Sequence, residues 1–323
     1  MKILGLHHVS ALTANAAKNY DFYTRILGLR LIKKTVNQDD VSVYHLFYGD
    51  EQGTAGTELT FFEIPMAGRN RNGNNSISAL SLRVPSDAAL HYWKDRLDQH
   101  EVPHGELEDQ TGRLTLSFED FEGQRLILVS DEHNSGIRGG VHWDRSPVPA
   151  EFGIIGLGPA RLTVPVAEHT VLILEKVLGF RYRTSYPSPV QGQPDVLVYE
   201  VGEGGTGGEV HVEERTDLPA ERLGRGGVHH VAFRVETEAE LREWVEKIRS
   251  LQMHNSGFVD RYYFRSLYFR EPNGILFELA TDGPGFATDE DLEHLGESLA
   301  LPPFLEPRRE AIEAHLKPLD TQL

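Results

Sequence analysis

A short phrase that occurs in both halves of the chain limits the folds that this sequence can adopt. Residues 26–30 read Ile-Leu-Gly-Leu-Arg, and residues 177–181 read Val-Leu-Gly-Phe-Arg. The first copy follows apolar residues at three- and four-residue spacing, which predicts a helix that ends at Gly28. Repetition on this scale indicates one supersecondary unit that is used several times. Unrelated α+β segments would not explain the shared phrase.

Four such units are predicted along the chain. Residues from about 1 to 65 read as a strand, a helix and three further strands, and the Asn- and Gly-rich loop 66–76 separates them from a second unit at about 77–131. The third and fourth units are predicted at about 152–215 and 226–283. Each unit is therefore expected to contribute a few strands and one helix.

The division of the chain into domains is predicted from its composition. Glycine, proline and polar residues over 136–151 indicate a linker between an N-terminal domain at 1–135 and a C-terminal domain at 152–283. A tail follows at 284–323, and it contains one predicted helix, 306–316.

Units one and four each open with a histidine doublet in an apolar strand. The doublets are His7-His8 and His229-His230, within the nearly identical phrases Gly-Leu-His-His-Val-Ser and Gly-Val-His-His-Val-Ala. Alignment of the units places His8 and His230 at the same position, where unit two has alanine and unit three has proline. Two of the four units thus kept a side chain that can bind a metal ion.

A carboxylate in the last strand of unit four completes the pattern. Glu278 lies in the apolar run that follows the turn Pro-Asn-Gly at 272–274. Alignment of the last strands puts Glu63 of unit one and Ile127 of unit two at the corresponding position, whereas unit three is ambiguous near His211. The polar residues are concentrated in units one and four, which predicts one metal site between these two units.

The residue types at this site favour a particular metal chemistry. The chain has no cysteine, so imidazole and carboxylate groups must supply the ligands. Two imidazoles and one carboxylate leave three open positions on a six-coordinate metal, an arrangement typical of ferrous iron that activates oxygen. A buried carboxylate without a cation would also be costly. The predicted metal ligands are therefore His8, His230 and Glu278.

Composition excludes several other classes of function. A net charge of −17 argues against a nucleic-acid-binding surface and against binding to anionic membranes. No apolar run reaches the roughly 18 to 20 residues of a membrane span. The first residues lack the apolar core of a signal peptide, so a cytoplasmic location is expected.

Further motifs connect these features to a known family. The pattern Phe-Tyr…Leu-Gly-Leu occupies residues 22–29, Pro-Asn-Gly at 272–274 precedes Glu278, and the tail carries Gly-Phe-Ala-Thr-Asp-Glu at 285–290. With them the chain resembles the glyoxalase/bleomycin-resistance/extradiol-dioxygenase (vicinal oxygen chelate) superfamily, above all its ring-cleaving dioxygenases of the hydroquinone type. The resemblance covers essentially all of 1–323. It implies an α+β fold of four βαβββ modules that form paired incomplete β-barrels, in two domains with the helices outside.

The same resemblance implies an activity and roles for individual residues. An iron(II) ion on His8, His230 and Glu278, with Mn, Zn or Ni as alternative occupants, would open a hydroquinone or catechol ring with O2. The implied partners are thus a small aromatic substrate and O2. His229 is implied as a general acid/base and Tyr268 as a hydrogen-bond donor to a developing oxyanion. The residues implied to bind the substrate are His7, Ser10 and Arg261.

The residues leave several alternatives open. Arg261 also suits a surface ion pair, and Tyr268 also suits the core. Strand alternation places the first histidine of each doublet on the face opposite the second, unless a bulge or twist intervenes. Glu63, which we expect to lie outside the direct ligands, would as a fourth ligand favour a glyoxalase-like isomerase or thiol transferase. A non-enzymatic protein that binds aromatic compounds is a third alternative, and a homo-oligomer is left open.

Overall fold

The computed structural model describes residues 1–321 and contains four βαβββ modules in sequence. Unit one comprises β1 (Leu6–Thr13), α1 (Ala16–Tyr20, continued by a π-helical segment at Asp21–Ile26), β2 (Arg30–Val36), β3 (Tyr44–Gly49) and β4 (Glu58–Glu63). Unit two comprises β5 (Ser76–Val84), α2 (Asp87–Gln99), β6 (His104–Gln110), β7 (Arg113–Glu119) and β8 (Arg125–Ser130).

The third and fourth modules repeat this order of elements. Unit three comprises β9 (Gly156–Val164), α3 (Ala167–Leu172, continued by a π-helical segment at Ile173–Leu178), β10 (Arg181–Tyr186), β11 (Val196–Glu200) and β12 (Glu209–Glu214). Unit four comprises β13 (Val228–Val235), α4 (Glu238–Ser250), β14 (Asn255–Asp260), β15 (Arg265–Arg270) and β16 (Leu276–Thr281). The predicted α+β class and the four βαβββ modules are confirmed.

The modules pair across the two halves of the chain to form two eight-stranded curled sheets. The site sheet, with the order β14-β15-β16-β13-β1-β4-β3-β2, joins units one and four. The second sheet, with the order β10-β11-β12-β9-β5-β8-β7-β6, joins units two and three. Each sheet is thus one incomplete barrel, and its two modules meet edge to edge through their first strands, which removes two exposed sheet edges.

The sheets do not follow the predicted division of the chain. The predicted N-terminal domain at 1–135 contributes one module to each sheet, and so does the predicted C-terminal domain at 152–283. The predicted linker at 136–151 connects β8 to β9, which both belong to the second sheet, and it also contacts unit one, because the N–H of Val141 donates to Asp50 Oδ2 at 2.9 Å. Its backbone accepts from a buried guanidinium, because Arg83 donates from Nη1 to the carbonyl of Ile137 at 2.8 Å and from Nη2 to the carbonyl of Arg138 at 3.2 Å.

Two long helices cover the outside of the sheets with apolar faces. α2 buries Trp93, and α4 buries Trp244, on helical turns whose other faces are polar. Each helix begins at a hydroxyl cap, because Ser86 accepts from the backbone N–H of residue 89 and Thr237 accepts from that of residue 240. None of the helices over residues 1–321 has the length and apolar content that a membrane crossing requires.

The C-terminal tail packs on the edge strand β2 of the site sheet. The buried Lys33 donates from Nζ to the carbonyl of Phe286 at 2.9 Å and to Asp289 Oδ1 at 2.7 Å, and it also pairs with Glu290. The helix predicted at 306–316 is shorter than expected, because only Arg309–Glu313 is α-helical, after a 3-10 turn at Glu306–Arg308. The last two residues of the predicted tail lie outside the described part of the chain.

Candidate metal centre and its cavity

Both histidine doublets lie at irregularities where β1 and β13 pair at the centre of the site sheet. Between the pairs Leu6–Phe233 and Val9–Val231, β1 contains one residue more than β13, and a second irregularity falls next to His229. An extra residue in one strand of an antiparallel pair bends that strand and re-aims its side chains. These bulges break the strict alternation that would separate the two histidines of each doublet.

The three predicted ligands bring their ligand atoms together. His8 Nε2 lies 3.0 Å from Glu278 Oε2, His230 Nε2 lies 2.9 Å from the same oxygen, and the two nitrogens are 3.3 Å apart. Imidazole and carboxylate ligands bind a metal such as zinc at about 2.1 Å, so ligands at neighbouring corners of an octahedron are about 3 Å apart. The observed separations fit three adjacent positions around one ion.

The carboxylate of Glu278 also fits a cation. The side chain is completely buried, and neither oxygen has a hydrogen bond of acceptable geometry. Burial raises the pKa of Glu278, but the charges and contacts of His8 and His230 more than offset it and hold the pKa well below its usual range. An ionised carboxylate with unsatisfied buried oxygens needs a positive partner, which a bound metal would supply.

His7 sets the tautomer of His8. His7 Nε2 lies 3.0 Å from the carbonyl oxygen of Thr281, which can only accept, so Nε2 carries the hydrogen. Burial and the neighbouring His8 lower the pKa of His7 to about 3, which leaves Nδ1 without a proton. His7 Nδ1 therefore accepts from His8 Nδ1, 2.9 Å away, and the lone pair of His8 Nε2 faces the other two ligands.

The position of His7 does not agree with the pocket role implied by the resemblance. The side chain is 1% exposed and lies behind His8, outside the cavity next to the metal ligands. The physical reason is the bulge in β1, which directs His7 Nδ1 at His8 instead of at the cavity. His7 is thus placed to orient a ligand and not to contact a substrate.

His229 makes the matching contact to His230 but lies on the cavity wall. The two Nδ1 atoms are 2.8 Å apart, and His230 needs an unprotonated Nε2 to act as a ligand. His230 Nδ1 then donates to His229 Nδ1, so the hydrogen of His229 is on Nε2, the ring nitrogen that is free for another partner. Burial, followed by the charge of His230, lowers the pKa of His229 to about 4.

A cavity of about 300 Å³ opens onto the three ligands. Its size is at the lower end for small-molecule sites and suits a single aromatic ring. Aromatic rings form a large part of its walls, including side chains that the sequence did not identify: His45, Phe47, Phe62, Tyr263 and Phe264. The ring of His45 is stacked on Phe62, and burial lowers its pKa well below the usual value.

Tyr268 and Arg261 both line this cavity. Tyr268 on β15 is paired directly with Glu278 on β16, and its side chain is partly exposed instead of lying in the core. Burial and the charge of Glu278 raise its pKa, so the phenol keeps its proton. Arg261 donates from Nε to the Tyr268 hydroxyl at 3.3 Å and forms an ion pair with Asp39 at 3.0 Å. Arg261 thus forms an ion pair and also lies on the cavity wall, so the structure is compatible with both alternatives, a surface ion pair and a contact to the substrate.

Ser10 also lies on the cavity, within a short polar chain. Its hydroxyl is 2.7 Å from Thr60 Oγ1, which is in turn 3.0 Å from His45 Nε2. The hydroxyl groups therefore hold the imidazole of His45 at the cavity wall. The alternating aromatic residues around His45 predict a strand, but nothing in that pattern marks its histidine as functional.

The predicted alignment of Glu63 with Glu278 is wrong by three residues. Parallel pairing sets Ser10 opposite Thr60 in unit one and Ala232 opposite Glu278 in unit four, so Thr60 corresponds to Glu278. Glu63 Oε1 instead accepts a hydrogen bond from the first backbone N–H of α1 at 2.9 Å. As expected, Glu63 lies outside the direct ligands.

A second group of possible ligand atoms within the described chain shares one histidine with the first. His7, His8 and Glu58 bring a ligand atom each within 4.8 Å of the others. Burial raises the pKa of Glu58 well above its usual range, which favours the neutral acid, and both Nδ1 atoms are already engaged with each other. This group fits a metal less well than the group around Glu278.

Comparisons with known proteins agree with this fold. The family model of the "Glyoxalase/Bleomycin resistance protein/Dioxygenase superfamily" matches residues 5–128 and 156–279. The "Putative ring-cleaving dioxygenase MhqA" of Bacillus subtilis is 55% identical over 319 residues, which cover 99% of this chain and 100% of the relative. The chlorohydroquinone/hydroquinone 1,2-dioxygenase of Sphingobium indicum is 31% identical, with 94% and 93% covered.

A solved structure shows the same architecture over the whole chain. The crystal structure of a "putative dioxygenase" from Bacillus subtilis has a TM-score of 0.89 and 34% sequence identity, with 99% of both chains covered. Each segment matched by the family model spans two of the four modules described above. The chain therefore belongs to the glyoxalase/bleomycin resistance protein/dioxygenase superfamily.

Proposed function

We propose that the protein is a non-haem iron(II)-dependent dioxygenase of the extradiol type that opens hydroquinone- or catechol-type aromatic rings with O2. The observation that carries this proposal is the convergence of His8 Nε2, His230 Nε2 and Glu278 Oε2 beside an aromatic cavity. Two imidazoles and one carboxylate are the ligand set that iron(II) oxygenases use. The names of the relatives from Bacillus subtilis and Sphingobium indicum support a ring-cleaving reaction.

Iron(II) in this site would supply one-electron chemistry with dioxygen and would lower the pKa of a substrate hydroxyl bound to it. The protein's own contribution is to place and orient the ring. The aromatic walls, among them Phe62 and Phe264, exclude water from the face of a bound ring. The aromatic rings and the three ligands line the same small cavity, so a ring bound there would have a hydroxyl within reach of the ligands.

His229 and Tyr268 are proposed as hydrogen-bond donors to the substrate oxygens. The contact to His230 leaves His229 with its hydrogen on Nε2, and the raised pKa of Tyr268 keeps its phenolic hydrogen in place. Donors held toward an oxygen that gains negative charge stabilise that charge without further reorganisation. The resemblance implies that His229 is a general acid/base. With its hydrogen on Nε2, His229 is proposed here to donate a hydrogen bond to the substrate.

Arg261 is proposed to bind a polar ring substituent. Its charge is largely balanced by Asp39, so it favours a neutral or weakly acidic group over a strongly anionic one. Its Nε also holds the Tyr268 hydroxyl, which links substrate binding to the orientation of that donor.

The test is metal content after anaerobic purification together with oxygen uptake on hydroquinone and catechol. We expect His8→Ala and Glu278→Gln to lose iron and oxygen uptake. Glu63→Gln is the matched control, because it changes a carboxylate of the same sheet that lies outside the ligands, and it should keep both. An iron-loaded protein that consumes no oxygen with a panel of hydroquinones and catechols would refute the proposed reaction.

The position of Glu63 bears on the alternative functions. A glyoxalase-like isomerase or thiol transferase was expected to use Glu63 as a fourth ligand, and that carboxylate is bound to the start of α1. A non-enzymatic binding protein would retain aromatic compounds without oxygen uptake, so the same experiment separates it from a dioxygenase.

A further inference from the structure

The second sheet repeats the geometry of the site sheet but has lost its ligands. Its central strands β5 and β9 pair with the same register and the same two irregularities as β13 and β1. The positions of His8, His230, Glu278 and Tyr268 are occupied there by Pro159, Ala79, Ile127 and Ser117. Small or apolar side chains have thus replaced every proposed metal ligand and the aromatic donor beside them.

A cavity of about 360 Å³ lies at these positions. Ala79 and Ile127 form part of its apolar wall, together with Phe118. It lies at the same place in the second sheet as the metal-ligand cavity does in the site sheet. It is large enough for a small organic molecule.

Two arginines that have no counterpart in the site sheet reach this cavity. Arg161 on β9 stands at the position of Ser10, and Arg125 on β8 stands at the position of Leu276. No carboxylate oxygen among residues 1–321 lies within the 4.0 Å ion-pair distance of either guanidinium, and Arg161 Nε is buried without a hydrogen-bond partner. Burial lowers the pKa of Arg125, and the charge of Arg161 acts in the same direction, whereas the charge of Glu221 raises it.

A third arginine in the same sheet, unlike Arg125 and Arg161, does have a carboxylate partner. Arg113 forms a two-bond ion pair with the buried Glu209, at 2.7 and 2.8 Å. This arginine on β7 and this glutamate on β12 therefore form an ion pair within the second sheet. Arg125 and Arg161 have no carboxylate within ion-pair distance among the described residues, although both side chains are partly buried.

Two carboxylates on the cavity wall do not fill this role. Glu213 Oε2 accepts from Thr163 Oγ1 at 3.0 Å, and its other oxygen lies 3.7 Å from Arg215. Glu119 is exposed to solvent. Neither side chain forms an ion pair with Arg125 or Arg161. Tyr186 contacts Arg161 and the charge of Glu221 acts on Arg125, but among the described residues no carboxylate is within ion-pair distance of either guanidinium. An anion that enters the cavity therefore meets two cations without a directly paired carboxylate.

We propose that this cavity binds a small organic carboxylate, with its anionic group on Arg161 and Arg125 and its apolar body against Ala79 and Ile127. Guanidinium groups bind carboxylates through paired N–H donors, which gives both affinity and orientation. The apolar wall selects a ligand with a hydrocarbon or aromatic body over a free inorganic anion. This inference is independent of the reaction proposed for the site sheet.

The test is calorimetric titration of the full-length protein with benzoate, and with acetate and inorganic phosphate for comparison. We expect one saturable site for benzoate and weaker binding of the other two anions. Arg161→Gln and Arg125→Gln should each weaken benzoate binding about ten- to hundredfold, because each removes a charged hydrogen-bond donor. Arg261→Gln, in the cavity of the site sheet, and the exposed Arg242→Gln should leave it unchanged.

A further variant keeps both charges and tests the cavity itself. Ala79→Leu fills the apolar wall, so it should abolish benzoate binding even if an arginine variant fails to fold, with thermal unfolding as the check on folding. The proposal is overturned by absence of saturable binding at millimolar benzoate, by loss of binding in Arg261→Gln alone, or by phosphate that binds as tightly as benzoate.

Discussion

Replacement of His7 by leucine tests the role that the structure gives to the first histidine of the doublet. Leucine has a similar volume but cannot accept the hydrogen of His8 Nδ1, which lies 2.9 Å from His7 Nδ1. A buried donor without an acceptor costs about 1–3 kcal/mol. His8 can avoid this cost by moving its hydrogen to Nε2, the atom that faces Glu278 and must be bare to bind a metal.

The expected result is weaker metal binding with little change in substrate recognition. A cost of about 1–3 kcal/mol corresponds to about 5- to 150-fold in affinity, and loss of such outer hydrogen bonds typically weakens metal sites 10- to 100-fold. The assay is competition for iron(II) or cobalt(II) with a calibrated chelator under anaerobic conditions. The KM for hydroquinone, measured on fully metal-loaded protein, should stay within about twofold because His7 is outside the cavity.

His7→Gln is the matched control. A glutamine side chain can accept through its oxygen and donate through its nitrogen, so it can restore both contacts of His7 in part. It should therefore bind metal more tightly than His7→Leu. Unchanged metal affinity in His7→Leu, with a large rise in KM, would refute this reasoning and would favour the pocket role instead.

Three further predictions concern the cavity, the tail and the dependence of stability on pH. Tyr268→Phe should keep its metal and lose about a hundredfold in kcat for oxygen uptake, because it removes one hydrogen-bond donor; unchanged kcat would exclude that role. Lys33→Met leaves the carboxylates of Asp289 and Glu290 without their buried cation, so the free energy of unfolding in urea should fall by about 3 kcal/mol, and the tail should become protease-sensitive. Burial raises the pKa of Asp120 to about 6 from 3.8. The folded state therefore favours the protonated acid, and this contribution is complete below pH 3.8 and is lost as the pH rises through 6. Between pH 4 and pH 8 the wild type should lose about 3 kcal/mol more stability than Asp120→Asn, as measured by urea unfolding; equal losses would contradict the assignment.

The internal repeat is the feature from which most residues of the candidate site could be predicted. A ligand position shows itself when two of four aligned units keep a polar side chain and two lose it, as for His8 and His230. The strand registers place alanine and proline at the other two positions, as the alignment predicted. Burial in apolar strands then identified Glu278, because an isolated carboxylate there needs a partner.

The features that the sequence did not reveal depend on register and on three-dimensional packing. Glu63 and Thr60 differ by three residues, and only the hydrogen-bonded pairing of β1 with β4 decides which of them corresponds to Glu278. His45 reaches the cavity because Thr60 and the aromatic rings beside it fix its position. The bulge that turns His7 toward His8 likewise has no signature in residue type.

The edge strands of the two sheets have a weak sequence signature for a different reason. β6, β10 and β14 each lie at the end of a sheet, where both faces reach solvent, so no alternation of apolar and polar residues develops. β2 is also an edge strand, but the tail covers it through a bridge between Lys34 and Leu299.

The most direct test of the proposed function is oxygen consumption by iron-loaded and metal-free protein with hydroquinone and isotope-labelled dioxygen. The proposal predicts uptake that requires iron, with both labelled oxygen atoms in a ring-opened product. It also predicts that Glu278→Gln, incubated with iron under the same conditions, shows neither oxygen uptake nor labelled product. Equal uptake by the metal-free protein, or oxidation of hydroquinone to benzoquinone without ring opening, would contradict the proposal.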